Sequence, residues 1–202
     1  DHTQPLMLTA GIAVWRAWRE GGGPLPARMA GHSLGEYTAL VAAGALDFPV
    51  AVELVRDRGR YMQAAVPEGE GAIAAVLGID DASLAVICEA NAGTEVVEPV
   101  NYNAPGQTVI AGHRAAVERT LEAAREAGAK RAVMLPMSVP AHCSLMTPAA
   151  DQLAARLADV PLRAPDIPVM HNVDVTLSAD PSAIRQRLVA QVRSPVRWTE
   201  CI

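Results

Sequence analysis

Apolar positions along this chain keep two periods in turn, and the switch between them divides it. From Gln4 to Glu20, "QPLMLTAGIAVWRAWRE", they recur at helical spacing. That predicts a helix with Thr3 as its cap, Pro5 in its first turn and Gly21 to Gly23 as its stop. "ARMA" (27–30) reads as a short strand, "LGEYTALVAA" (34–43) as a helix closed by Gly44, and Pro49 to Val66 as a second helix. From Gly71 the texture changes. "GAIAAVLGI" (71–79) is a strand, "DASLAVICEANA" (81–92) a helix capped by Asp80 or Asp81, and "EVVEPVNY" (95–102) a strand. "QTVIAG" (107–112) is a strand, "RAAVERTLEAAREAG" (114–128) a helix and "KRAVMLPM" (130–137) a strand. Between the middle strands, "NAPG" holds the Pro and Gly of a tight connection. This order, βαββαβ, is the ferredoxin-like unit. Past Ser138 come "LMTPAADQLAARLADV" (145–160) as a helix, a short strand near "IPVMHNV" and a final helix in "PSAIRQRLVAQVR". The fold expected is α/β: a small ferredoxin-like domain, 70–136, inserted into a larger domain formed by 1–69 and 137–202.

Composition narrows the function. With 202 residues, half of them hydrophobic, the chain can bury one sizeable core or a core with an inserted subdomain. No apolar run reaches the ~18–20 residues of a membrane span, and "DHTQPLML" is no signal segment. Cys88, Cys143 and Cys201 are too far apart for a CxxC pair. A reduced, soluble, cytoplasmic protein is expected. Seventeen basic against 22 acidic residues give a net charge of −5, and aromatics are 3%. That balance argues against a nucleic-acid partner. The five histidines form no HExxH or Cys/His cluster, so no metal is expected.

Three residues carry candidate chemistry. Ser33 sits in G-x-S-x-G between a strand and a helix, the pattern of a nucleophile elbow. Gly31 and Gly35 would both be required by the tightness of the turn, and the helix start aims N–H groups at an oxyanion. The competing reading is a small residue in a glycine-rich connection. Arg58 falls within the apolar stripe Ala51, Leu54, Val55, Tyr61, Met62, Ala65. An inward guanidinium needs an acceptor, either an internal carboxylate or the carboxylate of a substrate. His142, in the loop "SVPAHCSLM", can supply the base a serine nucleophile needs; His32 and His171 stay open as alternatives, and Cys143 reads as packing.

Four segments in this order, "GHSLGEYTALVAAG", "RGRYMQ", "VNYNAPGQTVIAG" and "SVPAHCSLM", closely resemble the malonyl-CoA:acyl carrier protein transacylases of type II fatty acid synthesis. The acyltransferase domains of polyketide synthases are similar. The resemblance covers essentially all 202 residues. It implies an α/β-hydrolase-like domain with a ferredoxin-like insertion, malonyl-CoA as substrate, an acyl carrier protein as acceptor, no bound cofactor and a monomer. It implies Ser33 as the acylated nucleophile and His142 as general base and acid. Arg58 would bind the malonyl carboxylate, the Leu34 N–H the oxyanion, and Asn103 and Met62 would contact the acyl group. The family's N-terminal G-Q-G motif and its C-terminal Gly-Pro-Gly loop, expected to supply the carbonyl that orients the histidine, do not occur here. The chain therefore reads as the middle of a longer protein with sheet edges and apolar surface uncovered. A basic patch near Ser33 is expected for an acidic carrier, with Arg114, Arg119, Lys130 and Arg131 as candidates. The rival readings are a polyketide synthase acyltransferase, a serine thioesterase and a non-catalytic carrier-protein scaffold.

Overall fold

The computed structural model describes residues 2–137 and 139–202; Asp1 and Ser138, which opens the "SVPAHCSLM" segment, lie outside the described residues. The first helix, α1 (Thr3–Glu20), takes in Thr3, so its cap position falls to His2, without a side-chain cap bond. The strand expected at 27–30 shortens to β1 (Met29–Ala30). Helices α2 (Leu34–Ala42) and α3 (Phe48–Ala64) follow. Gly44, at φ 76°, lets the chain turn between them.

Next come β2 (Gly71–Leu77), α4 (Asp81–Ala92), β3 (Val97–Ala104), β4 (Gln107–His113), α5 (Arg114–Glu126) and β5 (Arg131–Met134). Asp80 is the cap of α4: its carboxylate accepts from the Ser83 N–H at 2.9 Å. The four strands form an antiparallel sheet in the order β3-β4-β2-β5. β2 is buried on both faces, which explains why "GAIAAVL" is an unbroken apolar run rather than an alternating one. Ala72, Ala74 and Val76 cluster with Leu84, Val117 and Leu121 from α4 and α5. Ile73, on the opposite face, clusters with Val109, Ala111 and Cys143. Since Cys143 follows His142, this second face is the floor beneath the His142 loop.

The chain closes with a 3₁₀ turn (Ser144–Met146), α6 (Thr147–Ala158), β6 (Val169–Met170), α7 (Pro181–Val192) and α8 (Trp198–Cys201). α8 is four residues long, too short to show a periodic pattern. A larger core gathers Leu8 and Ile12 of α1, Leu40 of α2 and Leu54 of α3 with Leu153 of α6 and Leu188 of α7. β6 pairs parallel with β1, Met29 opposite Val169. Among the described residues, β1 has no strand on its other edge. An apolar groove of about 540 Å³ runs there between α1, β1 and α2. After α7 the chain crosses to the four-stranded sheet, where Val196 bridges β3 in parallel, giving its N–H to Val100 and taking that of Tyr102. No described helix is long and apolar enough to cross a membrane.

Candidate active site

β1 runs straight into the turn that carries Ser33, and α2 begins at the next residue. The turn is tight on one side only. A Cβ on Gly31 would lie 1.9 Å from the Gly35 carbonyl oxygen, a backbone atom that cannot move aside, whereas a Cβ on Gly35 would meet nothing within 4 Å. Gly31 is therefore required sterically while a side chain at Gly35 would meet open space, which corrects the expectation that both positions exclude side chains. Ser33 itself has φ 51° and ψ −107°, a strained conformation costing about 1–3 kcal/mol. Its side chain does not cap α2. It turns instead to two partners from elsewhere in the chain.

The first partner is His142. Ser33 Oγ lies 2.7 Å from His142 Nε2. His142 Nδ1 lies 2.7 Å from the backbone oxygen of Gln191. A carbonyl only accepts, so Nδ1 carries the proton and Nε2 presents a lone pair to the serine hydroxyl. This corrects the expectation that the orienting carbonyl comes from a segment the chain lacks: α7 supplies it. His142 also has positive φ, 68°, and its N–H donates to Val192 at 3.1 Å. The two strained residues thus meet side chain to side chain.

Burial, reinforced by the Arg58 charge, pushes the His142 imidazole down from 6.5 to about 3. The ring is thereby held as a neutral base through the whole physiological range. The sign for stability follows. Below pH 6.5 the unfolded histidine takes up a proton that the folded one refuses until about pH 3, so the fold loses stability as pH falls through that window. The acid limb of kcat/KM, which reports free-enzyme groups, is accordingly expected to be absent near pH 6.5. Measuring kcat/KM and melting temperature together from pH 4 to 8 checks this; a limb centred near 6.5 with an unchanged melting temperature would mean a solvated imidazole.

The second partner is Arg58, on the inward face of α3 and 2% exposed. Its Nη2 donates to Ser33 Oγ at 3.1 Å and to Gln191 Oε1 at 3.0 Å, and its Nη1 donates to Gln4 Oε1 at 2.7 Å. All three acceptors are neutral. Among the described residues no carboxylate is in salt-bridge contact with this guanidinium, and its Nε–H has no partner. Burial lowers its pKa from 12.5, while the Tyr37 and Glu36 charges oppose that shift. A buried cation surrounded by amides and a hydroxyl is costly to the fold, so the internal salt bridge weighed for Arg58 is not what holds it.

Glu36, fully buried, is the nearest fixed anion in this network, and it reaches Arg58 only through an amide: its Oε2 accepts from Gln191 Nε2 at 2.8 Å. The same carboxylate takes the Asn172 N–H at 3.0 Å and meets His171 Nδ1 at 2.7 Å. Asn172 in turn accepts the Ser33 N–H. Gln191, Gln4, Glu36 and Asn172 were not singled out by the sequence pattern, yet they surround the three residues that were.

The other expected residues fall at varying distances from this centre. The Leu34 N–H, next to Ser33 at the start of α2, has no acceptor among the described residues. Met62 lies beside Gln4, whose Nε2 is 3.8 Å from its sulfur, on a cavity of about 380 Å³ also lined by Gly59, Val139 and Ala141. Asn103 hydrogen-bonds neither Ser33, His142 nor Arg58; its Oδ1 meets His32 Nε2 at 2.9 Å, and the His32 ring packs edge-on against Trp198. His171 is buried against Glu36, away from the Ser33 hydroxyl. Cys143 is buried with Sγ 3.0 Å from the Pro140 oxygen, and burial raises its thiol to about 12, so it is packing. Of the four candidate patch residues, Arg114 lies against Glu118 and Arg119 against Glu95, on the small sheet's helix α5. Among the described residues no three His, Cys, Asp or Glu side chains converge as a metal site.

Known proteins share this arrangement's framework. The acyl transferase domain family matches residues 1–202. The malonyl CoA-acyl carrier protein transacylase of Salmonella typhimurium is 57% identical over 201 residues, covering 100% of this chain and 65% of that protein; its Escherichia coli K12 counterpart is 58% identical with the same coverage. The solved malonyl CoA-acyl carrier protein transacylase of Coxiella burnetii superposes with a TM-score of 0.98 at 53% identity, over 98% of this chain and 63% of that one. A malonyl-transacylase solved in complex with a type II polyketide acyl-carrier protein superposes with a TM-score of 0.97 at 53% identity, over 98% and 64%. The chain thus spans 65% of the length of the curated relatives it matches. Sequence and architecture agree over the whole of its own length, and the chain belongs to the acyl transferase domain family.

Proposed function

We propose that the protein carrying this chain transfers a malonyl group from malonyl-CoA to the phosphopantetheine thiol of an acyl carrier protein, through a malonyl ester on Ser33. One observation carries the reading: a buried guanidinium without a carboxylate partner among the described residues, 3.1 Å from a hydroxyl that already faces a neutral imidazole. A thioester whose acyl tail ends in a carboxylate supplies the missing anion and puts its carbonyl at the hydroxyl. The relatives named as malonyl transacylases support the acyl group, and the neighbour solved with its carrier protein supports the acceptor.

In this reading His142 Nε2 takes the Ser33 proton as Oγ attacks the thioester carbonyl. The Leu34 N–H at the positive end of α2 meets the tetrahedral oxyanion. Coenzyme A leaves as its sulfur receives the proton from His142. The carrier thiol then gives a proton to the same nitrogen and attacks the ester, and Ser33 Oγ leaves with the proton returned. Gln191 holds the tautomer throughout, and Met62 lines the cavity on the Gln4 side of the acyl tail. The strand order β3-β4-β2-β5 with α4 and α5 supports residues 70–136 as a ferredoxin-like insertion. The strand–turn–helix at Ser33 and the parallel β1–β6 pair support an α/β-hydrolase-like remainder, 1–69 and 137–202. Three unpaired thiols suit a reducing cytoplasm.

Mass spectrometry of the full-length protein after brief exposure to malonyl-CoA tests this. A malonyl adduct on the Ser33 peptide that moves to added carrier protein is expected. Rapid free malonate without acceptor would make the protein a thioesterase, and an unmodified Ser33 would make it a scaffold.

A further inference from the structure

We propose that Asn172 is the positioning residue of the elbow, its carboxamide standing in for a peptide unit across the turn and thereby aiming the Ser33 hydroxyl. This rests on the reading of Ser33 as the nucleophile. β1 ends at Ala30, so the Gly31 carbonyl lies beyond the ladder, and the Ser33 N–H belongs to a helix start that has no intrahelical partner for it. A backbone group left unmet in such a place loses its water without gaining a partner, which is costly to the fold. Asn172, fully buried, meets both: its Oδ1 accepts from the Ser33 N–H at 2.7 Å and its Nδ2 donates to the Gly31 oxygen at 3.0 Å. A carboxamide offers an acceptor and a donor on one rigid plane, spaced like those of a peptide unit. The two peptides on either side of His32 are thereby fixed, and with them the strained φ of Ser33.

Asn172 is itself held from two directions. Its N–H donates to Glu36 Oε2 at 3.0 Å, and Glu36 belongs to the first turn of α2, the helix that Ser33 precedes. Its loop closes on itself: the His171 N–H donates to the Thr176 oxygen and the Val175 N–H to the His171 oxygen, both at 3.0 Å. Val175 sits at φ 57°, a genuine outlier for a β-branched residue. Asp174 fastens the loop by accepting from Thr176 Oγ1 and Arg187 Nε, each at 2.7 Å. Strain is thus stored in the loop as well as in the elbow, and the Asn172 side chain joins the loop directly to the Gly31 and Ser33 backbone. It makes no hydrogen bond to His142 or Arg58 among the described residues; its Oδ1 also takes a longer bond, 3.3 Å, from Gln191 Nε2, and its shorter bonds are to the backbone on either side of His32, so its closest hold on the site is through Ser33.

The test uses full-length protein and two serine-modifying probes, malonyl-CoA and phenylmethylsulfonyl fluoride, a neutral sulfonylating reagent that asks nothing of Arg58. In Asn172→Leu, which keeps the branched outline and loses both bonds, the single-turnover rate constants for both probes are expected to fall about a hundredfold, as for a small misplacement of a reacting group, with half-saturation by malonyl-CoA shifted less than about twofold. The labelled amplitude should equal the folded fraction. Asn172→Ser, whose short hydroxyl can satisfy one backbone group but not both, is the milder variant if leucine does not fold, with the same expectation. Wild-type rate constants in either folded variant overturn the proposal, as does a reduced amplitude with an unchanged rate constant, which would make Asn172 a stability residue. Sulfonylation without malonylation of the wild type would sink the malonyl reading while leaving the positioning role to stand on the sulfonyl fluoride; no labelling of Ser33 by either would overturn both.

Discussion

Alanine at position 142 is expected to slow formation of the Ser33 ester by roughly 10²- to 10⁴-fold, the usual worth of a positioned proton acceptor, while leaving the affinity for malonyl-CoA nearly intact. The ring touches the hydroxyl and the Gln191 carbonyl; the guanidinium and its amide partners stay in place. Without an imidazole the proton of Ser33 must go to water or hydroxide, so the residual rate of His142→Ala should climb with pH where that of the wild type is level. Stopped-flow acylation across pH and calorimetric binding separate the two effects. A variant that binds malonyl-CoA an order of magnitude more weakly would place His142 in substrate binding rather than in proton transfer.

The second large effect concerns Arg58. Removing one partner of a buried, hydrogen-bonded charge pair costs about 2–5 kcal/mol, so Arg58→Ala is expected to lower kcat/KM for malonyl-CoA roughly thirty- to several-thousandfold. Transfer of acetyl from acetyl-CoA should hold or improve, because acetyl leaves the wild-type cation with neutral acceptors only. Arg58→Lys should not rescue malonyl transfer: a point charge cannot reach Gln4, Ser33 and Gln191 together as a planar fork does. Thermal stability sharpens the case. A fully buried guanidinium with no carboxylate partner among the described residues burdens the fold, so Arg58→Met should melt at or above the wild-type temperature. Equal losses for both acyl groups with a lowered melting point would show a structural arginine.

The sequence discloses the parts of this site that obey a period or a motif. Ser33 is announced by its flanking glycines and Arg58 by breaking an apolar stripe, and both face where they should. Gln4 and Gln191 carry the same signal as Arg58, since Gln4–Leu8–Ile12 and Ile184–Leu188–Gln191 keep helical spacing and each puts one polar residue on a buried stripe. Glu36 and Asn172 carry none. Asn172 lies in a loop, where no period exists, and a carboxylate on α2 looks solvated until His171, Asn172 and Gln191 arrive from more than a hundred residues away. The small sheet is legible because three of its four strands run to seven or eight residues; β1 and β6, two residues each, are too short for alternation to register. The carbonyl behind His142 is hidden for another reason: a backbone oxygen leaves no trace in the amino-acid type that bears it.

A few residues of chain separate Gln191, which grips the imidazole, from Val196, which is stitched to the rim of the four-stranded sheet. So short a tether leaves no slack. A displacement of the sheet against the remaining helices is therefore expected to be felt at the His142 ring.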